Sequence, residues 1–322
     1  MENRYGSQME SLLQNVERVL IGKREEIELA VVGLLAGGHV LLEDVPGVGK
    51  TMLVRALAKS IGGSFRRIQF TPDLLPSDVT GISIYNQKTM EFEFRPGPIM
   101  ANVVLADEIN RTSPKTQASL LEALEEGSVT VDGTTYELQP PFFVMATQNP
   151  IEYEGTFPLP EAQLDRFLLK LRIGYPERKN ELEMLDRIRE EHPIKTLATV
   201  TTLEELLQWQ QEVRLVYVDP SIKEYMVELV LGTRTAREVY LGASPRGSIA
   251  LYRTAQAYAF LQGRSFVIPD DVKKLVLPTL GHRILIKSEA RLSGKTAKHV
   301  LQEVMRNVPV PVRYEHRQAH SS

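Results

Sequence analysis

The sequence predicts an α/β domain followed by a smaller helical domain. In the first half, short apolar runs alternate with segments whose apolar residues recur at helical spacing, which is the pattern of a βαβ series. The runs are nearly continuous in apolar residues, as expected of parallel strands covered on both faces. Beyond about Tyr175 the strand signals stop, and from Leu203 the sequence is helical and rich in Leu, Ala and Val.

Five segments are predicted to form one parallel sheet, namely 39–43, 65–70, 102–107, 142–147 and 168–173. Helices are predicted between them, for example at 51–61 and 114–127. The segments 82–95 and 128–138 are predicted as inserted β-hairpins, and the second contains Asp132-Gly133, a strong hairpin-turn signal. We expect a core at 1–174, a linker at 175–200, a helical domain at 201–308 and a disordered tail at 309–322.

The composition is that of a soluble globular protein. Of 322 residues, 43% are hydrophobic and 25% are charged, and the net charge of −3 gives no overall attraction to nucleic acid or anionic lipid. The absence of Cys excludes disulfides and thiol catalysis and fits a reducing cytoplasm. The N-terminus lacks the layout of a signal peptide, and the longest apolar run, 30–42, is shorter than the about 20 residues that span a bilayer. We therefore expect a cytoplasmic protein without membrane insertion.

The segment LLEDVPGVGKT, residues 41–51, has the features of a phosphate-binding loop between a strand and a helix. Gly47 and Gly49 would let backbone N–H groups turn toward phosphate oxygens, and Lys50 would reach the β- and γ-phosphates. Thr51 would place its hydroxyl on Mg²⁺. The nucleotide-binding residues predicted here are Pro46, Gly47, Val48, Gly49, Lys50, Thr51 and Met52.

Asp44 stands where the general phosphate-loop pattern has its first Gly. Asp tolerates turn conformations and can bond its own backbone, so we expect it to make the same bend. The plainer interpretation of the segment is a Gly-rich turn before a helix, with no ligand.

Two acids, Asp107 and Glu108, close the predicted strand 102–107. At the carboxyl end of a parallel strand, Asp107 can hold the Mg²⁺ shell and Glu108 can orient and deprotonate an attacking water. Alternatively, the two adjacent acids only make the end of the strand polar and solvated, with no role in a site. An acid after the Mg²⁺ ligand favours ATP hydrolysis over a GTP switch, and the sequence has no N-K-x-D guanine signature.

Two further polar residues are candidates for the reaction. Asn149, after the strand 142–147, would lie beside the γ-phosphate and position the water, or else it is a turn residue before Pro150. Arg166, in PEAQLDRF, is either an arginine finger inserted into a neighbour's site or one member of a surface ion pair with Asp165 or Glu161.

Arg246 lies in GASPRGS, where Ser244 as N-cap and Pro245 as first helical residue place it in the first turn of a helix. It could touch the γ-phosphate when the helical domain closes. The alternative is a solvated Arg at a helix end. A cation at a helix N-terminus is slightly unfavourable, which argues against that alternative.

Together these residues resemble those of the AAA+ ATPases and, among them, the MoxR family. The resemblance covers about 19–309 and is carried mainly by LLEDVPGVGKT, LADEINRTSPKTQASLLEALEEG, MATQNPIEYEGTFPLPEAQLDRF and GASPRGSIAL. It implies an AAA+ P-loop αβα core with a five-stranded parallel sheet, two inserted β-hairpins and a smaller all-α lid domain.

The resemblance also implies a role for each site residue. Residues 47–51 match Walker A, Asp107 and Glu108 match Walker B, Asn149 matches sensor 1, Arg166 the arginine finger and Arg246 sensor 2. Ile21 and Gly22 match the segment that packs on adenine. The implied cofactors are ATP and Mg²⁺, with Thr51 and Asp107 as metal ligands.

The family further suggests a homo-oligomeric ring, expected to be a hexamer, with each ATP at a subunit interface. It suggests a chaperone-like role on protein substrates with partners that carry a von Willebrand factor A domain. No residue spacing indicates such a partner, so this expectation rests on the resemblance alone.

Two other functions compete with a protein remodeller. A nucleic-acid motor would need basic hairpins, but the span 71–98 has four acidic and two basic residues and the span 127–139 has two acidic and no basic residues, a net charge of −2 each. A nucleotide-gated scaffold without hydrolysis is disfavoured because Glu108, Asn149 and Arg166 are all present. We therefore expect protein substrates and no stable nucleic-acid partner.

Overall fold

The structure is a computed structural model that describes residues 5–149, 155–188 and 193–311. The first half contains α1 Gly6–Glu17, α2 Arg24–Leu35, β1 Val40–Glu43, α3 Lys50–Ser60, β2 Phe65–Gln69, α4 Pro76–Thr80, β3 Gly81–Asn86, β4 Glu91–Pro96, β5 Val103–Asp107, α5 Pro114–Glu126, β6 Ser128–Val131, β7 Thr134–Glu137, β8 Phe143–Gln148, α6 Glu161–Leu164 and β9 Leu169–Leu171. The second half contains α7 Arg178–Ile188, α8 Pro193–Thr196, α9 Leu203–Arg214, α10 Pro220–Thr235, β10 Val239–Leu241, α11 Pro245–Leu261, α12 Pro269–Leu280, β11 Leu285–Ile286, α13 Ser288–Leu292 and α14 Ala297–Asn307.

A five-stranded sheet in the order β2-β5-β8-β1-β9 forms the centre of the first half. All neighbouring strands in it are parallel, and each predicted strand segment overlaps one of them. The central strands β1, β5 and β8 are almost wholly buried because helices cover their apolar runs on both faces. The α/β fold class and the five predicted strands are therefore confirmed. Below, the edge at which these strands end is the carboxyl edge, and the opposite one is the amino edge.

The two helices that precede the sheet, α1 and α2, are absent from the sequence-based prediction. Met9, Leu12 and Val16 on α1 are fully buried at the three- and four-residue spacing of an amphipathic helix. Helix α2 packs against both β9 and the lid helix α11. Its second half is apolar on all sides because it is covered by the sheet and by the lid at once.

Both predicted hairpins are present, as β3–β4 and β6–β7. Asp132 and Gly133 have φ of 50° and 78°, the two positive values that a two-residue type I′ turn requires. The ring of Phe94 on the first hairpin stacks on that of Tyr136 on the second, with centroids 3.9 Å apart and planes at 15°. The hairpins therefore contact each other and form one paired insert.

Among the residues that the structure describes in the second half, the helices are joined by one small sheet. Strands β10 and β11 pair as a small antiparallel sheet, in which Val239 lies opposite Ile286 and both side chains are buried. The sequence analysis predicted only helices there, because strands of three and two residues are too short to show a period of two. Helices α7 and α8 lie in the segment predicted as a linker. The division of the chain at 174, 200 and 308 stays a prediction, and most of the predicted tail, 312–322, lies outside the described residues.

His39 ties the amino edge of the sheet to the end of α5. Its Nε2 lies 3.1 Å from the carbonyl oxygen of Leu124, and its Nδ1 accepts a hydrogen bond of 3.1 Å from the backbone N–H of Val144. Complete burial lowers the pKa of His39 to about 4, so the ring is neutral at physiological pH and donates through Nε2. The last turn of α5 is thus held at the amino edge. Among the described residues, no helix is both long and apolar enough to cross a membrane.

Candidate active site

The loop after β1 has the geometry of a phosphate-binding loop. Gly47 and Gly49 have φ of 84° and 93°, values that side chains other than Gly rarely adopt, and Gly49 directly precedes α3. The Nζ of Lys50 donates a 2.9 Å hydrogen bond to the carbonyl oxygen of Asp44 and so folds back over the loop. Thr51 follows in the first turn of α3, while Pro46 is exposed. The N–H groups at the start of α3 suit an anion.

The other two predicted residues of this loop face inward. Val48 and Met52 are half-buried and pack against the hydrophobic core. Their side chains fix the loop on the protein, so that any contact they make with a nucleotide would come from the backbone or from their exposed parts.

Asp44 does more than bend the chain. One carboxylate oxygen of Asp44 accepts a 3.1 Å hydrogen bond from the backbone N–H of the next residue, Val45. This is the local bond expected from the sequence. The other oxygen accepts from the backbone N–H groups of Ile173 and Gly174 at 2.5 and 2.8 Å. A Gly at this position could not make these bonds. Asp44 therefore joins the phosphate loop to the segment that leaves β9.

Thr147, which the sequence analysis did not single out, organises the acidic pair. Its hydroxyl donates to Asp107 Oδ1 at 2.6 Å and accepts from the backbone N–H of Glu108 at 2.8 Å. Thr147 is fully buried near the end of β8, beside β5. Arg67 on β2 holds the other oxygen of Asp107 through an ion pair of 2.6 Å. A polar residue at the end of an apolar strand was the signal available in the sequence.

Glu108 has a left-handed backbone, with φ 59° and ψ 49°. For a residue other than Gly this costs about 1–2 kcal/mol, so the surroundings must enforce it. The bond from its N–H to Thr147 does so. Its carboxylate accepts from Gln69 Nε2 at 2.8 Å and from Arg111 at 3.2 Å. Neither partner was predicted from the sequence.

Asn149 follows β8 directly and is 6% exposed. Since β8 lies between β1 and β5, Asn149 lies between the loop that contains Lys50 and the acids Asp107 and Glu108. Neighbouring strands are about 4.8 Å apart, so the ends of β1 and β5, on either side of β8, are separated by about 10 Å. The turn expected at Pro150 lies outside the described residues.

Ile21 and Gly22 lie on the same side of the core as the phosphate loop. The adjacent Lys23 donates through Nζ to the carbonyl oxygens of Ile173 and Tyr175, at 2.5 and 3.0 Å. This is the segment that Asp44 also binds. Gly22 has φ 69°, and a Cβ there would lie 1.9 Å from the side-chain nitrogen of Asn180. The predicted adenine segment thus lies between the phosphate loop and α7.

Arg166 and Arg246 share one carboxylate, that of Glu125. Arg166 Nη1 lies 2.8 Å from Glu125 Oε2, and Arg246 Nη2 lies 2.6 Å from Glu125 Oε1. Arg166 also donates to the carbonyl oxygen of Leu121 at 2.8 Å. Arg166 is therefore in an ion pair, as one interpretation of the sequence expected, but its partner is Glu125 and not Asp165 or Glu161.

The two arginines are far from the phosphate loop of their own chain. Glu125 belongs to the last turn of α5, which His39 holds at the amino edge of the sheet. Lys50, Asp107, Glu108 and Asn149 lie at the carboxyl edge, and a strand of four residues such as β1 separates the edges by roughly 13 Å. The structure thus brings the acids, Asn149 and the loop to one place and both arginines to another. Arg246 therefore binds Glu125 at the amino edge, and a contact with the γ-phosphate when the helical domain closes stays a prediction.

The start of α11 is fixed to the core through Asp165. Ser244 caps the helix as predicted, accepting from the N–H of Arg246 at 3.1 Å, and its hydroxyl donates to Asp165 at 2.9 Å. Arg283 donates to the same carboxylate at 2.8 Å. Burial lowers the pKa of Arg283 to about 10, and the charge of Asp165 counters that shift. The lid is thereby anchored one residue away from Arg166.

The carboxyl edge also suits a nucleotide with Mg²⁺. Thr51 and Asp107 offer a hydroxyl and a carboxylate, the hard oxygen ligands that Mg²⁺ takes. A Cβ at Gly47 would meet no atom within 4 Å, so the space in front of the loop is open. The Gly-rich loop, the Lys and the acidic strand end therefore fit a nucleotide with Mg²⁺, as the motifs imply.

Comparison with known proteins agrees with this arrangement. Residues 39–169 match the ATPase family associated with various cellular activities (AAA), and residues 231–304 match the AAA lid domain. The uncharacterized protein YeaC of Bacillus subtilis is 63% identical over 93% of this chain and 94% of its own length. Chaperone MoxR1 of Mycobacterium tuberculosis is 40% identical over 94% of this chain and 82% of its own length.

A solved structure shows the same fold. The crystal structure of a candidate ATPase from Cytophaga hutchinsonii aligns with a TM-score of 0.90 and 39% identity over 96% of each chain. One family fits all of these observations. They are the parallel sheet with its lid, the Walker-type loop with the two acids, and the relatives that are similar over nearly the whole chain. The chain belongs to the MoxR family of AAA+ ATPases.

Proposed function

We propose that this protein hydrolyses ATP to ADP and phosphate, with Mg²⁺, at sites shared between neighbouring copies in a ring, and that hydrolysis drives the remodelling of protein substrates. The observation that carries the proposal is the separation of the two half-sites. The loop and acids lie at the carboxyl edge of the sheet, whereas Arg166 and Arg246 lie together at the amino edge.

Within one chain, the carboxyl edge would bind the nucleotide and prepare the water. The loop N–H groups and Lys50 would hold the phosphates, and Thr51 and Asp107 would hold Mg²⁺, which supplies charge neutralisation at the phosphates. Asn149 would orient the attacking water. Glu108 would accept its proton, and the enforced backbone of Glu108 points to a carboxylate held ready for that role.

A second copy would complete the site with its two arginines. An edge-to-opposite-edge contact is heterologous, and repeated heterologous contacts close into a ring when the rotation between copies permits. Arg166 and Arg246 would both stabilise the charge that develops on the γ-phosphate of the neighbour. Six copies is the number that the family resemblance suggests.

Protein substrates are supported by the paired hairpins. Tyr85, Met90 and Phe92 at the end of the first hairpin are 44%, 71% and 74% exposed, a cluster of apolar side chains typical of a protein-binding surface. Both hairpin spans are acidic, which disfavours DNA. The relative named Chaperone MoxR1 agrees with a chaperone-like role. A partner with a von Willebrand factor A domain is expected from the resemblance, and we place the protein in the cytoplasm.

The ATPase rate per subunit, measured across a wide range of protein concentration, tests the shared site. We expect it to rise with concentration as rings assemble, because a lone chain lacks the arginines at its own loop. A rate that is constant at all concentrations and does not recover when complementary inactive variants are mixed would mean that each chain works alone. No hydrolysis under any condition would favour a nucleotide-gated scaffold instead.

The hairpin cluster distinguishes a protein substrate from nucleic acid. We expect an unfolded polypeptide to stimulate the ATPase and single-stranded DNA to have no effect. Replacing Phe92 with Ser should weaken that stimulation several-fold and leave the unstimulated rate unchanged, since Phe92 is remote from both half-sites. Thr130→Ser, on the second hairpin, is the control. Stimulation by DNA but not by the polypeptide would support the alternative of a nucleic-acid motor.

A further inference from the structure

We infer that Glu125 is a positioning residue that holds the arginine of the core and the arginine of the lid as one unit for delivery to the neighbouring copy's phosphate. This inference rests on the proposed shared site. Its basis is the double ion pair at the amino edge, in which each oxygen of one carboxylate binds a different guanidinium.

Helix stability does not explain this pairing. Glu125 lies in the last turn of α5, where the helix dipole disfavours an anion, and Arg246 lies in the first turn of α11, where it disfavours a cation. Neither residue is placed to the advantage of its own helix. Each gains its favourable interaction only from the other element, across the junction between core and lid.

The surroundings explain why a shared carboxylate is needed. Arg166 comes from the core and Arg246 from the lid, and two guanidinium groups brought this close repel each other unless an anion lies between them. Leu121 and Glu125 fix Arg166 from one helix. Arg246 is half exposed, and among the described residues Glu125 is the only acid with which it forms an ion pair.

Removing the negative charge has two opposing effects. It would make the surface more attractive to a neighbour's phosphates, but the pair is partly exposed and such effects are small in physiological salt. It would also release two side chains that must meet a reacting group, and a misplacement of about 1 Å can lower a rate by roughly 10²-fold. Loss of positioning is therefore the larger effect.

Glu125→Ala should lower kcat by about 10- to 100-fold. Glu125→Gln, which keeps the size and one acceptor oxygen, should show a smaller loss. Affinity for ATP at the variant's own loop should not change, because that loop lies at the other edge of the sheet. Glu126→Gln is the matched control, since it is the next residue of the same helix, is exposed, and forms no ion pair with a described residue. An unchanged or raised kcat in Glu125→Ala would overturn the inference.

Mixing separates positioning from a general structural defect. Glu125→Ala mixed with Glu108→Gln should recover activity, because the second variant supplies intact arginines to the loop of the first. Mixed with Arg166→Ala it should not recover, since both changes damage the same half-site. In addition, Glu125→Ala should have little further effect when Arg166 and Arg246 are already replaced by Ala.

Mixing also distinguishes a failure of the role of Glu125 from a failure of the proposed shared site. Arg166→Ala mixed with Glu108→Gln reports on the shared site alone. If that mixture fails to recover, the shared site itself is wrong. If it recovers but Glu125→Ala does not recover with Glu108→Gln, or if the Glu125 effect persists in full without the arginines, the shared site stands and the role of Glu125 is wrong.

Discussion

Glu108→Gln should reduce ATP hydrolysis by about 10²- to 10⁴-fold while ATP remains tightly bound. Gln has the same shape as Glu but cannot take the proton of the attacking water. The backbone of residue 108 should be retained, because the hydrogen bond from its N–H to Thr147 does not involve the side chain that is changed. The variant should therefore stay bound to ATP without hydrolysing it. Its arginines are unchanged, so it can supply them to a neighbouring copy in mixtures.

Two measurements on the same samples check this expectation, namely steady-state phosphate release and equilibrium binding of ATP in the presence of Mg²⁺. Lys50→Ala is the reference for lost binding, because it removes the cation of the phosphate loop. If Glu108→Gln hydrolyses ATP at the normal rate, Glu108 is not the base. If it loses ATP binding as Lys50→Ala does, its carboxylate is required to build the site.

Much of the carboxyl edge could be predicted from the sequence because its signals are local. The strand 102–107 is apolar and ends in two acids, and parallel strands place their ends at one edge of a sheet. Gly47 and Gly49 need positive φ wherever the loop forms. Each of these inferences uses neighbouring residues only, and the fold confirmed the elements on which they depend.

The partners of these residues could not be predicted because they are distant in the sequence. Asp44 binds N–H groups of Ile173 and Gly174, and nothing near Asp44 indicates which backbone will approach it. Gln69 and Arg67 on β2 similarly reach the acids only because β2 pairs with β5. Glu125 is one of several acids on an exposed helix face and looks like ordinary solvation until both arginines are seen beside it.

The place of Arg246 shows the same limit for the lid. Its cap and its helical turn were predicted from GASPRGS and confirmed. Which edge of the core that turn meets depends on Asp165, Arg283 and the packing of α11 on α2, all remote in sequence. The local motif therefore predicted the helical turn that holds Arg246 but not its ion-pair partner Glu125, and the role of Arg246 at a phosphate stays a prediction.

Arg166→Ala should lower hydrolysis by about 10³-fold and leave ATP binding by the same chain unchanged. The guanidinium lies at the amino edge, remote from Lys50, so its removal cannot weaken the loop of its own chain. It removes the cation that would meet the charge developing on a neighbour's γ-phosphate. Arg237→Ala, which changes an exposed Arg of the lid outside both half-sites, is the control and should behave as the unmodified protein.

Mixing Arg166→Ala with Glu108→Gln provides the decisive comparison. In a ring assembled at random from equal amounts, about a quarter of the interfaces combine an intact Glu108 with an intact neighbouring Arg166, so a comparable fraction of the normal rate should return. Neither variant should be active alone, and mixing cannot restore activity if each site belongs to a single chain. A mixture no more active than its two components, under conditions in which subunits exchange, would show that Arg166 does not act across an interface. The ion pairs of Arg166 and Arg246 with Glu125 would then serve to join the core to the lid, and not to complete a neighbour's site.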